Sequence, residues 1–396
     1  MNIILFFICV FVFSSNIIAS VNNQFYGWVG AGKSYFDGDS SSVDLNGDLA
    51  FSPVITLGDE DVIYPVYLGY FKGIEDLSEI AGGDVLVRQR MGHSFSVKYV
   101  KSKDFNHIKP RISYSLNYVN ETKDESWGNG LFDYRTFSIG VEFEQERPDA
   151  TYLEGFDFFT ISYPNYSSLI YKYSTAIDTS TYLELSRNAG KDVLNSKNFK
   201  AYFDYTVFPK NLNITYSFAL TYRSFYDQSV VNELGGFKSD KRRDLLGEFG
   251  FLLSKSDKKI DAGFLSGVSY LYSNQNSYDA SRTKYIDDYY GYVSINFSPY
   301  FRLKFKNKAA FDYSFRYERI NYTGRLAQDV NGSYLSSKIY QNFYVNMISF
   351  SYPISDYLLT RLSYSYQSVD SNMKYETGYR YNYTSGNILF GCELRF

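Results

Sequence analysis

The last ten residues, Asn387-Ile-Leu-Phe-Gly-Cys-Glu-Leu-Arg-Phe396, decide the fold. Ile388, Phe390, Cys392, Leu394 and Phe396 alternate with Asn387, Leu389, Gly391, Glu393 and Arg395. Side chains along a β-strand point to opposite faces in turn, so this stretch predicts a strand with one oily face and one mostly wet face. A strand of that kind suits a sheet with hydrocarbon on one side and water on the other.

The same alternation recurs upstream. Leu212, Ile214, Tyr216, Phe218, Leu220 and Tyr222 oppose Asn213, Thr215, Ser217, Ala219, Thr221 and Arg223. Phe199, Ala201, Phe203, Tyr205 and Val207 oppose Lys200, Tyr202, Asp204 and Thr206; Phe311, Tyr313, Phe315 and Tyr317 oppose Asp312, Ser314, Arg316 and Glu318. Each run is about as long as a tilted strand needs to cross a bilayer. Short connections at 208–210, 256–259 and 353–355 trade places with long polar ones at 121–130, 227–242, 273–288, 323–337 and 370–382. The tally is eighteen strands, near 24–35, 43–54, 62–71, 92–101, 110–120, 133–145, 155–163, 168–174, 178–188, 198–207, 211–224, 243–255, 259–273, 284–298, 308–321, 338–352, 356–369 and 383–396. Fourteen or sixteen are the alternatives. Residues 72–92 read as loop or as part of the fourth strand, 164–178 are interrupted by Pro164, and 340–352 fit neither face cleanly, as if a bulge reset the phase.

Composition agrees with this pattern. Of 396 residues, 20% are aromatic, with 42 Tyr and 34 Phe against 2 Trp. Membrane barrels use such rings at both lipid–water interfaces. The mean hydropathy is nonetheless −0.30, which excludes a helical membrane protein and fits strands half of whose residues face water. The net charge of −3, from 40 basic and 43 acidic residues, leaves no basic excess for nucleic acid. Residues 1–20 read as a signal peptide: Ile3–Phe13 is an apolar core, and Ile18-Ala19-Ser20 offers small residues for cleavage before Val21. Its n-region holds no Lys or Arg. Residues 21–396 then form one domain, with Cys392 its lone cysteine after Cys9 leaves with the leader.

The terminal aromatic on an alternating strand resembles the C-terminal signature of Gram-negative outer-membrane β-barrel proteins, porin-like ones included. The resemblance implies an all-β, transmembrane, antiparallel up-and-down barrel in the cell outer membrane, with long loops outside the cell. It implies that Phe390, Leu394 and Phe396 belong to the membrane-insertion signal read by the barrel-insertion machinery. It also implies a homo-oligomer as one state, since porins of this size are often trimers.

Candidate chemistry is sparse. His93 and His107 are the two histidines, too few for a metal site, and no motif calls for a cofactor. Outer-membrane phospholipases resemble this architecture but need a Ser–His–Asn group; His107 falls in a predicted periplasmic turn and His93 at a strand start. Gly27, Gly30 and Gly32 form a G-x-x-G-x-G run with no helix pattern after it, so a strand with close neighbours is expected rather than a phosphate cradle. The wet face carries the lumen-facing candidates Lys200, Asp204, Arg223, Arg316, Glu318, Arg361, Glu393 and Arg395. Mixed charges there set up a transverse field and a modest filter, or pair to stiffen the wall. Tyr202 on that face offers a ring for sugars to stack on.

The size of the barrel predicts a passive, porin-like channel for small hydrophilic solutes, because roughly 16–18 strands leave an aqueous lumen. One long loop, 72–92 or 227–242, is expected to fold inward and narrow it. The alternative is a non-transport surface barrel: an adhesin, a structural barrel, or the membrane part of an export or assembly system. Enzymatic activity is not expected.

Overall fold

The computed structural model describes residues 20–37, 39–58, 60–73, 89–120, 126–166, 192–279, 282–376 and 380–396. The strands are β1 (Ser20–Phe36), β2 (Asp39–Thr56), β3 (Asp61–Lys72), β4 (Gln89–Lys103), β5 (Asn106–Asn120), β6 (Tyr134–Glu146), β7 (Ala150–Ser162), β8 (Ser196–Val207) and β9 (Leu212–Val231). Then follow β10 (Phe237–Ser256), β11 (Ile260–Ser273), β12 (Ser277–Asp279), β13 (Lys284–Ile286), β14 (Tyr292–Lys304), β15 (Ala310–Gln328), β16 (Tyr334–Pro353), β17 (Leu358–Ser371) and β18 (Tyr383–Arg395). All except β12 and β13 form one closed antiparallel barrel of sixteen strands, each paired with its neighbours in sequence. The ring closes where β1 meets β18, Val29 opposite Cys392 and Ala31 opposite Phe390. Closure leaves no edge of unpaired amides, the condition for a sheet in lipid.

Side chains that reach across several strands show which face is inside. Arg111 of β5 touches Asp157 of β7 at 2.6 Å and Tyr202 of β8 at 3.0 Å. Only the concave face of a curved wall brings such distant strands together. The opposite face is a band of exposed apolar side chains, among them Ile139, Phe156, Phe218, Val268, Leu362 and Phe390. These residues are exposed because lipid, not protein, is their solvent. Aromatic pairs such as Tyr152–Tyr205 and Tyr205–Tyr216 line the band near the short turns. Both described ends of the chain also lie there: Phe396 stacks on Phe25 with ring centroids 4.7 Å apart.

Three expectations are corrected. The count is sixteen, one of the stated alternatives, rather than the tallied eighteen. The predicted strands 168–174 and 178–188 fall outside the described residues, and β7 pairs directly with β8, so the ring has no place between them. The expected strand at 284–298 divides into β13, which pairs with β12 as a small hairpin, and the wall strand β14, which runs on through Pro299. The expected phase reset within 340–352 is absent: the ladders of β16 with β15 and with β17 run without a shift there. The pattern is irregular because Asn346 and Asn342 face outward, where the hydroxyls of Tyr313 and Tyr317 donate to them at 3.1 Å each. Neighbouring tyrosines thus satisfy polar groups that a reading by hydrophobicity treats as misplaced.

Two segments read as long loops are strands carried beyond the wall. The hairpins β9–β10 and β15–β16 end in tight turns at 232–236 and 329–333. In each, one side-chain oxygen (Asn232 Oδ1 or Asp329 Oδ1) accepts from two backbone amides, and a glycine with positive φ follows (Gly235, +80°; Gly332, +79°). Such Asx turns are built from the same polar residues as loops, so composition alone does not separate them.

Candidate functional site

Among the described residues, the lumen wall carries a network of paired charge. On β4–β8, Glu142 contacts Lys98 at 2.8 Å and Arg111 at 2.6 Å, and it accepts a hydrogen bond from the Tyr202 hydroxyl at 2.8 Å. Arg111 also pairs with Asp157 at 2.6 Å, and Lys109 with Glu144. Below, toward the short turns, Val62, Tyr64, Lys98, His107, Lys109, Arg111, Glu144 and Glu146 line a cavity of about 840 Å³. Two further pairs stand on β11, β14 and β15: Arg302–Asp312 and Lys304–Asp261, each 2.6 Å. Pairing with hydrogen-bonded support is what makes charge tolerable on a partly desolvated wall.

Of the sequence-derived lumen candidates, Arg361, Glu393 and Arg395 come together. Glu393 is fully buried and ion-paired with Arg361 at 2.8 Å and with Arg395. Neither carboxylate oxygen makes a well-angled hydrogen bond, so the cluster is held by charge. Arg223 donates to Asn198 Oδ1 at 3.0 Å, and Glu318 accepts from the Ser294 hydroxyl at 3.0 Å. Lys200 lies 5.7 Å from the Tyr202 ring centre. Asp204 is half-buried on the same face. Arg316 is exposed on that face without a hydrogen bond or ion pair to any described residue. Missing from those candidates were Lys98, Lys109, Arg111, Glu142, Glu144 and Asp157. The alternation of β5 and β6 was legible, and their wet faces would have supplied all but Lys98 and Asp157.

Tyr202 is not available for stacking. Its ring lies across Gly155 on the neighbouring strand, where a Cβ would stand only 2.2 Å away, and Arg111 and Glu142 engage its hydroxyl. Tyr70 lies over Gly92 and Tyr300 over Gly263 in the same manner. The inward aromatics thus pave the wall rather than project from it. Gly32 serves closeness of another kind, since a Cβ there would meet the Ile388 carbonyl oxygen at 1.7 Å.

The mouth is narrowed by loops that sequence reading did not single out. Val119, at the inward-facing top of β5, is fully buried under Phe132, Val193 and Leu194, with Tyr163 and Tyr166 packed alongside. Phe132 belongs to the β5–β6 connection and Tyr163, Tyr166, Val193 and Leu194 to the β7–β8 connection, so these described parts of both connections sit on the lumen side of the wall. Asp133 fixes them. One carboxylate oxygen accepts from Val119 N at 2.8 Å, the other from Gly130 N at 3.1 Å and from the Asn165 amide at 3.3 Å. Burial, reinforced by Tyr134, pushes the Tyr163 hydroxyl up to about 12 against the pull of Arg223 and Arg90.

Across the mouth, Arg242 pairs with Asp244 through two 2.9 Å contacts and lies 3.9 Å from the Tyr290 ring centre. Arg325 donates to the Tyr289 carbonyl at 2.9 Å and stacks on Tyr289 and Tyr322. Buried guanidinium–aromatic contacts of this kind hold the β11–β14 connection against β10 and β15. The expected inward loop at 227–242 is instead the β9–β10 hairpin, and most of 72–92 lies outside the described residues.

The histidines cannot act together. His93 faces outward among aromatics, bonded to the Tyr67 hydroxyl at 2.9 Å; His107 faces the lumen near the β4–β5 turn, bonded to the Ser102 hydroxyl at 2.8 Å. No group of three His, Cys, Asp or Glu residues able to hold a metal occurs among the described residues.

A closed antiparallel barrel, apolar outside and charged within, defines a transmembrane β-barrel. No family model and no curated protein matches the sequence. Solved structures of similar fold include OmpT, an outer-membrane protein of Vibrio cholerae in its trimer form, at 10% identity, 96% of this chain, 99% of that chain and a TM-score of 0.48. The anion-selective porin from Comamonas acidovorans aligns at 10% identity over 96% of this chain and 100% of its own, TM-score 0.48. The outer-membrane protein opdK from Pseudomonas aeruginosa aligns at 9% identity over 95% and 99%, TM-score 0.46.

Proposed function

We propose that this barrel is a passive, porin-like channel for small hydrophilic solutes. The observation that carries the reading is the mixed-charge lumen wall of a sixteen-stranded ring, narrowed at one mouth by the connections packed on Val119. Rings of this size leave an aqueous interior, whereas about eight strands fill with side chains. Charges on a pore wall bias which ions pass. Arg316, exposed on that wall and unpaired among the described residues, is the side chain best placed to do so. The reading includes a cleaved leader at residues 1–20 and a final strand whose Phe390, Leu394 and Phe396 address the insertion machinery. It also allows a homo-oligomer.

Planar-bilayer recording tests the proposal. Stable open steps are expected, with a reversal potential in a salt gradient that moves toward cation preference in Arg316→Glu. Absence of steps from correctly folded barrel would refute it. That result would favour a non-transport surface barrel, a reading to which the guanidinium–aromatic packing around Arg242 and Arg325 lends a stiff outward surface.

A further inference from the structure

The outer face of β7–β10 carries two adjoining rows of different chemistry. One row reads Ile139, Phe158, Phe199, Tyr222, Leu245 and Tyr272 across β6–β11, each the ladder partner of the next. It is wholly apolar or aromatic and belongs to the lipid-facing band. The next outward row, two residues farther toward the long loops, reads Thr160, Lys197, Ser224 and Arg243. Two residues of strand correspond to about 6.8 Å, so this second row stands where hydrocarbon gives way to headgroups. Long connections mark the extracellular side, which places it in the outer leaflet.

Every side chain in that second row can donate a hydrogen bond, and none is acidic. Lys197 and Arg243 are exposed. Lys197 makes no ion pair with a described residue and only lies 5.0 Å from the Tyr226 ring centre; the Arg243 side chain has no hydrogen-bond or ion-pair partner among the described residues. Their backbones lie two strands apart, roughly 10 Å, so a flexible ammonium and a guanidinium can both reach one group between them. Ser224 stands between the two cations, and Thr160 flanks Lys197. Two unpartnered cations with hydroxyl donors at a membrane interface match an anionic, multi-oxygen headgroup, and the apolar row beneath supplies the surface for its acyl chains.

We propose that Lys197 and Arg243, with Ser224 and Thr160, form an outer-leaflet site for the phosphate of a phosphorylated lipid. The site lies outside the lumen and is independent of transport. Full-length barrel in detergent micelles is incubated with bisphosphorylated lipid A, and retained lipid is counted by native mass spectrometry. Heat-modifiable gel migration establishes that each variant is folded. The K197Q/R243Q variant should lose retention by at least about tenfold, each single variant should lose part of it, and Lys255→Gln at the opposite membrane edge should lose none. Dephosphorylated lipid A should bind as weakly to wild type as intact lipid A does to the double variant, and millimolar inorganic phosphate should not displace the lipid. Undiminished retention by the folded double variant, or equal binding of dephosphorylated lipid, would overturn the site. Displacement by inorganic phosphate would show an anion site rather than a lipid site, and would equally overturn it.

Discussion

Replacing Asp133 by alanine should loosen the mouth without touching the barrel wall. The carboxylate is buried and accepts from Val119 N, Gly130 N and the Asn165 amide. Hydrogen bonds to a charged group contribute about 1.5–3 kcal/mol each, so losing the two backbone contacts costs about 3–6 kcal/mol. Even the lower figure shifts a local opening equilibrium on the order of a hundredfold, since about 1.4 kcal/mol is a factor of ten. The sixteen-stranded ladder does not use Asp133 as a rung, so its closure stays intact. Single-channel recording should show larger and noisier open steps, while gel migration remains heat-modifiable. Asp133→Asn, which keeps one acceptor, should fall between. A folded Asp133→Ala barrel with wild-type conductance and noise would refute the view that these contacts hold the constriction.

Two further outcomes follow from buried groups. Glu393→Gln removes the anion that pairs with both Arg361 and Arg395. The screened, half-exposed Arg395 contributes little, so the loss is about 3 kcal/mol, visible as a lower temperature for heat modification, with Glu393→Asp partly restoring it. Tyr163 has its hydroxyl raised from 10.0 to about 12 by burial. A raised value means the folded state holds the proton more tightly. Its stabilising contribution is therefore complete below pH 10 and lost between pH 10 and 12. Stability measured against pH should fall less steeply over that window in Tyr163→Phe than in wild type; parallel curves would count against the assignment.

The wall was legible because its physics is local. A period of two with one oily face needs only a window of ten residues, and runs such as 212–222 and 388–396 supply it without help from the rest of the chain. Where lipid-facing positions carry polar atoms, as at Asn342 and Asn346, the pattern blurs because the compensating hydroxyls come from another strand. The turns at 232–236 and 329–333 were misread for a related reason: an Asx turn and a loop share residue types and differ only in backbone geometry. The lumen was half legible. Alternation assigns Lys200, Arg316 and Glu393 to the wet face, but that Arg111 reaches Asp157 and Tyr202 depends on the curvature of the closed ring. The mouth was least legible, since Val119, Phe132, Val193 and Leu194 are scattered along the chain and meet only after closure.

A cysteine scan along β9, made in a Cys392→Ser background, is the most direct measurement. Single cysteines at 216 to 221 are exposed, in the native membrane, to a water-soluble maleimide that the lumen admits. Labelling should alternate, strong at Ser217 and Ala219 and weak at Tyr216, Phe218 and Leu220, with Thr221 left out of the comparison because it is buried. Uniform labelling of both sets, or strong labelling of the aromatic positions, would mean that this face meets water and that the chain does not line a membrane-embedded barrel.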